Sequence, residues 1–337
     1  MKVAVLQQVY KSRNYIDAVY GAIFAQTYPD ITVYAQIVND EGRSRAYIAE
    51  KYPQVTFLEP GYNIGFSKGH NEMFASIDAD IFQLVNPDAI LAPTFVEEIV
   101  TVFRANEKVG AVSGKIFQYD FSENKAKTTF DTTGVVVWRS GRGRDRGQHE
   151  EDTGQYDTPG EVTGVSGAVA AYRKAALESV KMPRSNSYYE YFDEDFHSYW
   201  EDVDLSLRLI NQGWSIWYEP KALAKHGRYA GSSKEGYKNV GKFARHHKKI
   251  SERVKQLNYK NHIFIVVKNF PKYYWQFWFR ELAMLCYIIV FERSTLKVWS
   301  EFRSQLVVMK QKRKFIADHC KIAPQEFEKH LLGGLGL

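Results

Sequence analysis

Two hydrophobic periods alternate through residues 1–120, and that alternation limits the chain more than any other feature. Short apolar runs rich in β-branched residues, Val3–Val9, Ile31–Val38, Val55–Leu58, Ile81–Val85 and Val109–Val112, read as buried strands. Between the first two, Ile16, Val19, Tyr20, Ile23 and Phe24 fall at helical spacing on one face. Pro93 stands where a helix can start, ahead of the amphipathic FVEEIVTVF. Such alternation predicts an α/β fold with a doubly wound, mostly parallel sheet. In sheets of that kind the ligand lies beyond the carboxyl ends of the strands. The segments that follow strands are therefore where chemistry is to be sought.

Residues 120–160 break the pattern. SGRGRDRGQHEEDTGQYDTPGE is polar, rich in glycine and charge and without periodicity, which predicts a long surface excursion. Regular structure returns as helices near Arg173–Val180 and Asp202–Asn211 and a strand at Ser215–Tyr218. Near residue 240 the character changes again. Residues 1–241 hold 26 Lys/Arg against 32 Asp/Glu, and residues 242–337 hold 19 against 7. We therefore expect a catalytic domain over 1–240 and a basic, aromatic helical region over 241–337.

That second region places KFARHHKKISERVKQ ahead of FPKYYWQFWFRELAMLCYIIVFER. Rings and aliphatics flanked by Lys272, Arg280 and Arg293 suit a helix lying in a membrane interface, with cations on phosphates. The alternative is a helical subdomain that buries the same rings against the core or a second subunit, as in a homodimer. The longest apolar run, Leu282–Phe291, is ten residues and too short to span a bilayer. The opening MKVAVLQQVY reads as a first strand rather than a signal peptide. Cys286 and Cys320 form no metal spacing or disulfide framework, which fits a reducing cytoplasm.

Four segments carry candidate chemistry. Asn86-Pro87-Asp88 directly follows the strand IFQLV; a carboxylate there can share a hard divalent ion with a diphosphate, and the same triplet can also be a plain turn. In WEDVDLSLRLINQGW, Glu201, Asp202 and Asp204 occupy the first turn of a helix. They either complement its dipole or supply a general base kept ionised by that terminus. In AKHGRYAGSSKEG, His226 follows a strand and precedes a small polar stretch, as a metal ligand under a closing loop would. GYNIGFSKGHN is a glycine-rich turn in which Gly65 permits close backbone approach and Asn63 and Asn71 can bond ribose or phosphate. No G-x-G-x-x-G dinucleotide fingerprint or Walker lysine motif occurs.

In order and spacing, six blocks resemble glycosyltransferase family 2, especially its bacterial rhamnosyltransferase-like members: AQTYP, NIGFSKGHN, QLVNPDAIL, GVSGAVAAYRKAALE, FDEDFHSYWEDVDLSLRLINQGWSIWYEP and KHGRYAGSS. The resemblance covers residues 1–240 and implies the GT-A fold. It places Asn86 and Asp88 where the family has its metal-binding Asp-x-Asp, with Asp88 holding Mg²⁺ or Mn²⁺ and His226 completing the site. It makes Asp202 the base with Glu201 beside it, Trp200 and Ser166 part of the acceptor site, and Gly167 part of the sugar cleft. Tyr10 and Asp40 fall near the family's nucleoside contacts. The family's Asp-Asn and Tyr-Asn read Asn39-Asp40 and Tyr10-Lys11 here, so the nucleobase end departs most from the pattern.

The implied reaction is inverting transfer of a sugar from a nucleotide donor at the inner face of a bacterial membrane, for cell-surface polysaccharide synthesis. dTDP-L-rhamnose is the favoured donor, with UDP-hexose or UDP-galactofuranose as alternatives. The acceptor is a glycan or a polyprenyl-diphosphate-linked glycan, and the basic tail meets an anionic membrane surface. Two readings from other classes are a sugar nucleotidyltransferase and a non-enzymatic membrane or nucleic-acid binder. The first lacks its glycine- and arginine-rich triphosphate loop. Nucleic acid is disfavoured because the tail's aromatics cluster with aliphatics instead of recurring along a basic groove.

Overall fold

A computed structural model describes residues 1–10, 13–38, 43–59, 64–185, 187–227 and 250–336. Its strands are β1 (Val3–Val9), β2 (Ile31–Ile37), β3 (Thr56–Leu58), β4 (Ile81–Val85), β5 (Ala89–Leu91), β6 (Val109–Asp120), β7 (Lys125–Thr132), β8 (Val135–Trp138), β9 (Gly143–Asp145), β10 (Gly160–Glu161), β11 (Val169–Arg173), β12 (Met182–Ser185), β13 (Tyr188–Glu190), β14 (Ser215–His226) and β15 (Leu331–Leu332). The helices are α1 (Ile16–Phe24), α2 (Arg43–Lys51), α3 (Phe66–Ser76), α4 (Phe95–Ala105), α5 (Lys174–Val180), α6 (Glu201–Asn211), α7 (Glu252–Asn269), α8 (Trp275–Phe291), α9 (Val298–Asp318) and α10 (Pro324–Lys329).

The predicted α/β alternation builds the central sheet, in the order β10-β14-β6-β11-β4-β1-β2-β3. β3, β2, β1 and β4 run parallel, and β14 runs parallel to β6. β11 lies antiparallel between β4 and β6, so its start adjoins the carboxyl end of β4. Successive residues of β1 serve opposite faces, as the strand period requires. Ala4 and Leu6 join one apolar layer with α3, α5, α6 and α7, while Val3, Val5 and Val9 join the other with α1 and α4. Ile16, Val19, Tyr20 and Ile23 of α1 are buried as their spacing predicts; Phe24 instead lies at the surface, stacked on Tyr52.

The predicted excursion over 120–160 is corrected. β7 extends the main sheet along β6, and β8 and β9 join β15 in a separate three-stranded sheet. Phe130, Asp131, Thr132, Thr133, Val135 and Val137 are buried. The stretch lacks an apolar signature because its polar groups satisfy one another. The Arg146 guanidinium, for example, lies between the rings of Tyr156 and Tyr218 and donates to the Thr133 carbonyl.

Past residue 250, α7 packs into the same apolar layer as α6, with Phe264 stacked between Phe196 and Phe302. Ser251 caps its first turn by accepting from the Val254 N–H. Most of the basic stretch before it lies outside the described residues. α8 is two-faced: Phe277, Arg280 and Ile288 are buried, while Trp275, Trp278, Phe279, Leu282, Val290 and Phe291 are exposed. Among the described residues no helix is long and apolar enough to cross a membrane.

Candidate active site

The carboxyl end of β4 turns through Asn86, Pro87 and Asp88 into β5, closed by a bond from the Ala89 N–H to the Asn86 carbonyl. β5 pairs antiparallel with the end of β14, which sets His226 opposite Ala89. The Gly227 N–H donates to the Asp88 carbonyl at 2.9 Å. His226 Nε2 consequently lies 3.2 Å from Asp88 Oδ1. Its Nδ1 lies 2.9 Å from Oδ2 of Asp131 on β7, a fully buried carboxylate. Burial alone would lower the imidazole pKa, but the hydrogen bonds and charge of Asp131 and Asp88 outweigh it and raise it to about 9.

This arrangement fits a divalent ion. Both ring nitrogens face carboxylates; a divalent ion would replace the Nε2 proton beside Asp88, while Asp131 would keep the other proton on Nδ1, the outer-shell support common for metal-bound histidine. One carboxylate oxygen and one imidazole nitrogen suit Mn²⁺ or Mg²⁺, with diphosphate and water supplying further ligands. Among the described residues no cluster of three or more His, Cys, Asp or Glu converges as a self-sufficient metal site. The pair would therefore hold an ion jointly with a bound diphosphate.

The second acid group opens α6. Three of the four residues that lead into it are held at positive φ: His197 (63°), Tyr199 (70°) and Trp200 (74°). Each such non-glycine residue costs on the order of 1–3 kcal/mol, so the surrounding packing must impose the conformation. From this turn the Asp202 carboxylate accepts the N–H of Gly167 (2.8 Å, Oδ2) and its neighbour Val203 (2.8 Å, Oδ1). Glu201 is buried beside it, and its Oε2 has no hydrogen-bond partner among the described residues.

Burial raises both carboxyl pKa values, so the helix terminus does not by itself keep Asp202 ionised as predicted. Glu201 rises to about 8, through burial and the adjacent charge of Asp202. Asp202 is raised by burial and by Asp145, against the two N–H donors. A pKa near 8 keeps the Glu201 carboxyl neutral at pH 7, while the two backbone N–H donors favour the ionised form of Asp202.

A backbone bridge links the two segments. Gly167, whose N–H binds Asp202, precedes Ala168, whose carbonyl accepts the Asn86 N–H at 2.8 Å. Two consecutive residues at the head of β11 thus tie the first turn of α6 to the metal-ligand turn at the end of β4. Space there is tight: a Cβ on Gly167 would lie 3.3 Å from Phe66 and 3.5 Å from Asp202.

Other expected residues divide. Ser166 is buried beside Gly167. Gly65 caps α3 at φ +82°, where a Cβ would meet the His197 ring at 3.0 Å, so a side chain would crowd the Asp202 loop. Trp200 lies over Gly143 and donates from Nε1 to Asn258 Oδ1 at 3.0 Å. Tyr10 is exposed past the end of β1. Asp40 and Asn63 lie outside the described residues. Asn71 is corrected. It is fully buried, its Oδ1 accepts the N–H groups of Tyr191 and Phe192, and its Nδ2 donates to the Phe192 carbonyl, so its amide organises the core instead of a nucleotide.

Two neighbours of these groups escaped the sequence reading: Asp131 and Asp145. Asp131 and Asp145 stand in the stretch taken for a loop, although the strand–turn–strand run FDTTGVVVW could have exposed the first.

The sequence model of the family described as Glycosyltransferase like family 2 matches residues 3–258. No curated protein matches the chain. Among solved structures, GalNAc-T7 with UDP, GalNAc and Mn²⁺ superposes with a TM-score of 0.63 at 12% identity, covering 98% of this chain and 56% of that one. The mannosyltransferase PcManGT from Pyrobaculum calidifontis, in complex with GDP-Man and Mn²⁺, superposes with a TM-score of 0.51 at 15% identity, covering 94% and 85%. At these identities the superpositions establish the shared GT-A fold.

Proposed function

The chain belongs to glycosyltransferase-like family 2, and on that premise we propose a metal-dependent inverting transferase that moves a sugar from a nucleotide donor to an acceptor hydroxyl. The observation that supports this reading is the backbone bridge Asp202–Gly167–Ala168–Asn86, which links the first turn of α6 to the turn at the carboxyl end of β4 that carries Asp88 beside His226. Asp88 and His226 would hold Mn²⁺ or Mg²⁺, which neutralises charge on a departing diphosphate. The Asp202 carboxylate accepts the acceptor's hydroxyl proton as that oxygen attacks the anomeric carbon, and the carbon–diphosphate bond breaks on the opposite face. One displacement inverts the configuration. Neutral Glu201 keeps a second negative charge from the attacking oxygen, and Trp200 and Ser166 border the acceptor space.

The solved relatives hold UDP or a GDP-sugar with Mn²⁺, which supports a diphosphate donor. The resemblance to rhamnosyltransferase-like members favours dTDP-L-rhamnose, ahead of UDP-hexose and UDP-galactofuranose. A glycan or polyprenyl-diphosphate-linked acceptor suits the exposed aromatic face of α8 and the basic tail, which would set the cleft against the anionic inner surface of a bacterial membrane. A homodimer closing over α8 is the competing use of that face.

A thermal-shift panel of these nucleotide sugars, with and without Mn²⁺, tests the proposal. Binding to the folded state alone at a hundredfold excess over Kd adds about 2.7 kcal/mol. A Mn²⁺-dependent rise in Tm with one donor class is expected. No shift with any donor would overturn the reading.

A further inference from the structure

We infer that Asn261 is a positioning residue for the base, holding from α7 the strained turn that aims Asp202; this rests on Asp202 being the base. Its side chain is buried behind that turn, and Nδ2 approaches three carbonyls, those of Phe196 (3.0 Å), Ser198 (3.1 Å) and Tyr199 (2.9 Å). These carbonyls belong to the same turn as the residues of positive φ, His197, Tyr199 and Trp200. An amide nitrogen has two hydrogens, so the three carbonyls share them and must converge on one point. That convergence fixes the turn in its left-handed course.

The same helix fastens the ends of the segment. Lys268 pairs with Asp204 at 2.9 Å and with Asp193 on the other side of the turn. Asn269 donates to Asp204 Oδ1 at 2.8 Å. From α9, Lys312 pairs with Asp195 at 2.8 Å and with Asp193. Asn258, one turn before Asn261, accepts from the Trp200 indole. Both ends are clamped by ion pairs, and Asn261 sets the course between them. The C-terminal helices therefore complete the active site from behind, whatever α8 does at a surface. A carboxylate that must meet a hydroxyl within hydrogen-bond reach is sensitive to displacements of about 1 Å, which can cost about 10²-fold in rate.

The test compares the full-length protein with its Asn261→Leu variant by amide hydrogen exchange and by nucleoside-diphosphate release. The probe is whichever of dTDP-rhamnose, UDP-glucose or UDP-galactofuranose is hydrolysed fastest in Mn²⁺. Exchange across residues 196–203 should quicken about tenfold or more while β4 stays protected, because only the turn loses its tie. Turnover should fall on the order of 10²-fold with donor KM within about twofold, and the loss should vanish in an Asp202→Asn background, as expected of residues acting as one unit. Unchanged exchange over 196–203, or losses that multiply with Asp202→Asn, would overturn the inference. Should Asn261→Leu fail to fold, Asn261→Ser and Asn258→Ala carry the same comparison. Full turnover in Asp202→Asn sinks the base assignment itself, a separate outcome from a silent Asn261→Leu beside an inactive Asp202→Asn.

Discussion

Asp131 Oδ2 lies 2.9 Å from His226 Nδ1, joining a strand that sequence reading took for loop to the last residue of β14. The other ring nitrogen faces Asp88. Asp131 would therefore hold the proton on Nδ1 when a cation takes the place of the proton on Nε2. Asp131→Asn should weaken Mn²⁺ binding about 10- to 100-fold, the usual cost of losing such support. Calorimetric titration of Mn²⁺ in the presence of nucleoside diphosphate measures it. Unaltered affinity in a folded variant would remove Asp131 from the site.

Asp202→Asn keeps the shape of the side chain but cannot take a proton. Turnover should drop about 10²–10⁴-fold, the typical contribution of general-base assistance. Donor affinity by calorimetry should stay within about twofold, since the donor's diphosphate is assigned to Asp88 and His226. Wild-type turnover would refute the role.

Glu201 supplies a pH signature in stability. Its folded pKa, about 8, stands above its ordinary value of 4.5, so the folded protein binds a proton that the unfolded chain releases between those limits. Stability from this group is full below about 4.5 and is lost as pH rises toward 8 and beyond. Glu201→Gln removes the term and should flatten the decline in Tm between pH 5 and pH 9, by roughly a few kcal/mol at the alkaline end. Parallel melting curves for both proteins across that range would contradict a buried, protonated Glu201.

Trp275 and Trp278 project from α8 with 66% and 61% exposure. If that face meets a membrane, the protein should sediment with vesicles containing anionic lipid, less so at high salt. A Trp275→Glu, Trp278→Glu double variant should lose most of that binding while keeping soluble-donor hydrolysis. Wild-type protein that ignores vesicles but shows a dimer broken by the same variant would assign the face to self-association.

The legible part of the candidate site was the part with local signals. Asp88, Asp202 and His226 each follow or open an element whose period is plain in the sequence, and at the carboxyl ends of strands such residues face ligand. Asn71 looked equally eligible in its glycine-rich turn. Its side chain is instead consumed by the backbone of Tyr191 and Phe192, residues 120 and 121 positions away in a contact no local pattern announces. Asp131 was hidden for the converse reason: Thr, Asp and Gly around it read as turn residues, and their burial depends on β6 being there to pair with.

By itself the sequence determined the alternating sheet, the ends of its strands and the acids placed there, because these follow from hydrophobic period and turn chemistry within a few residues. Only the tertiary structure decided that Asp202 and Asn86 share the bridge through Gly167 and Ala168, that burial lifts the Glu201 pKa to about 8, and that α7 bonds the turn before α6. Those outcomes depend on desolvation and on partners far away in the chain, and neither is encoded until the sheet closes and the C-terminal helices pack against it.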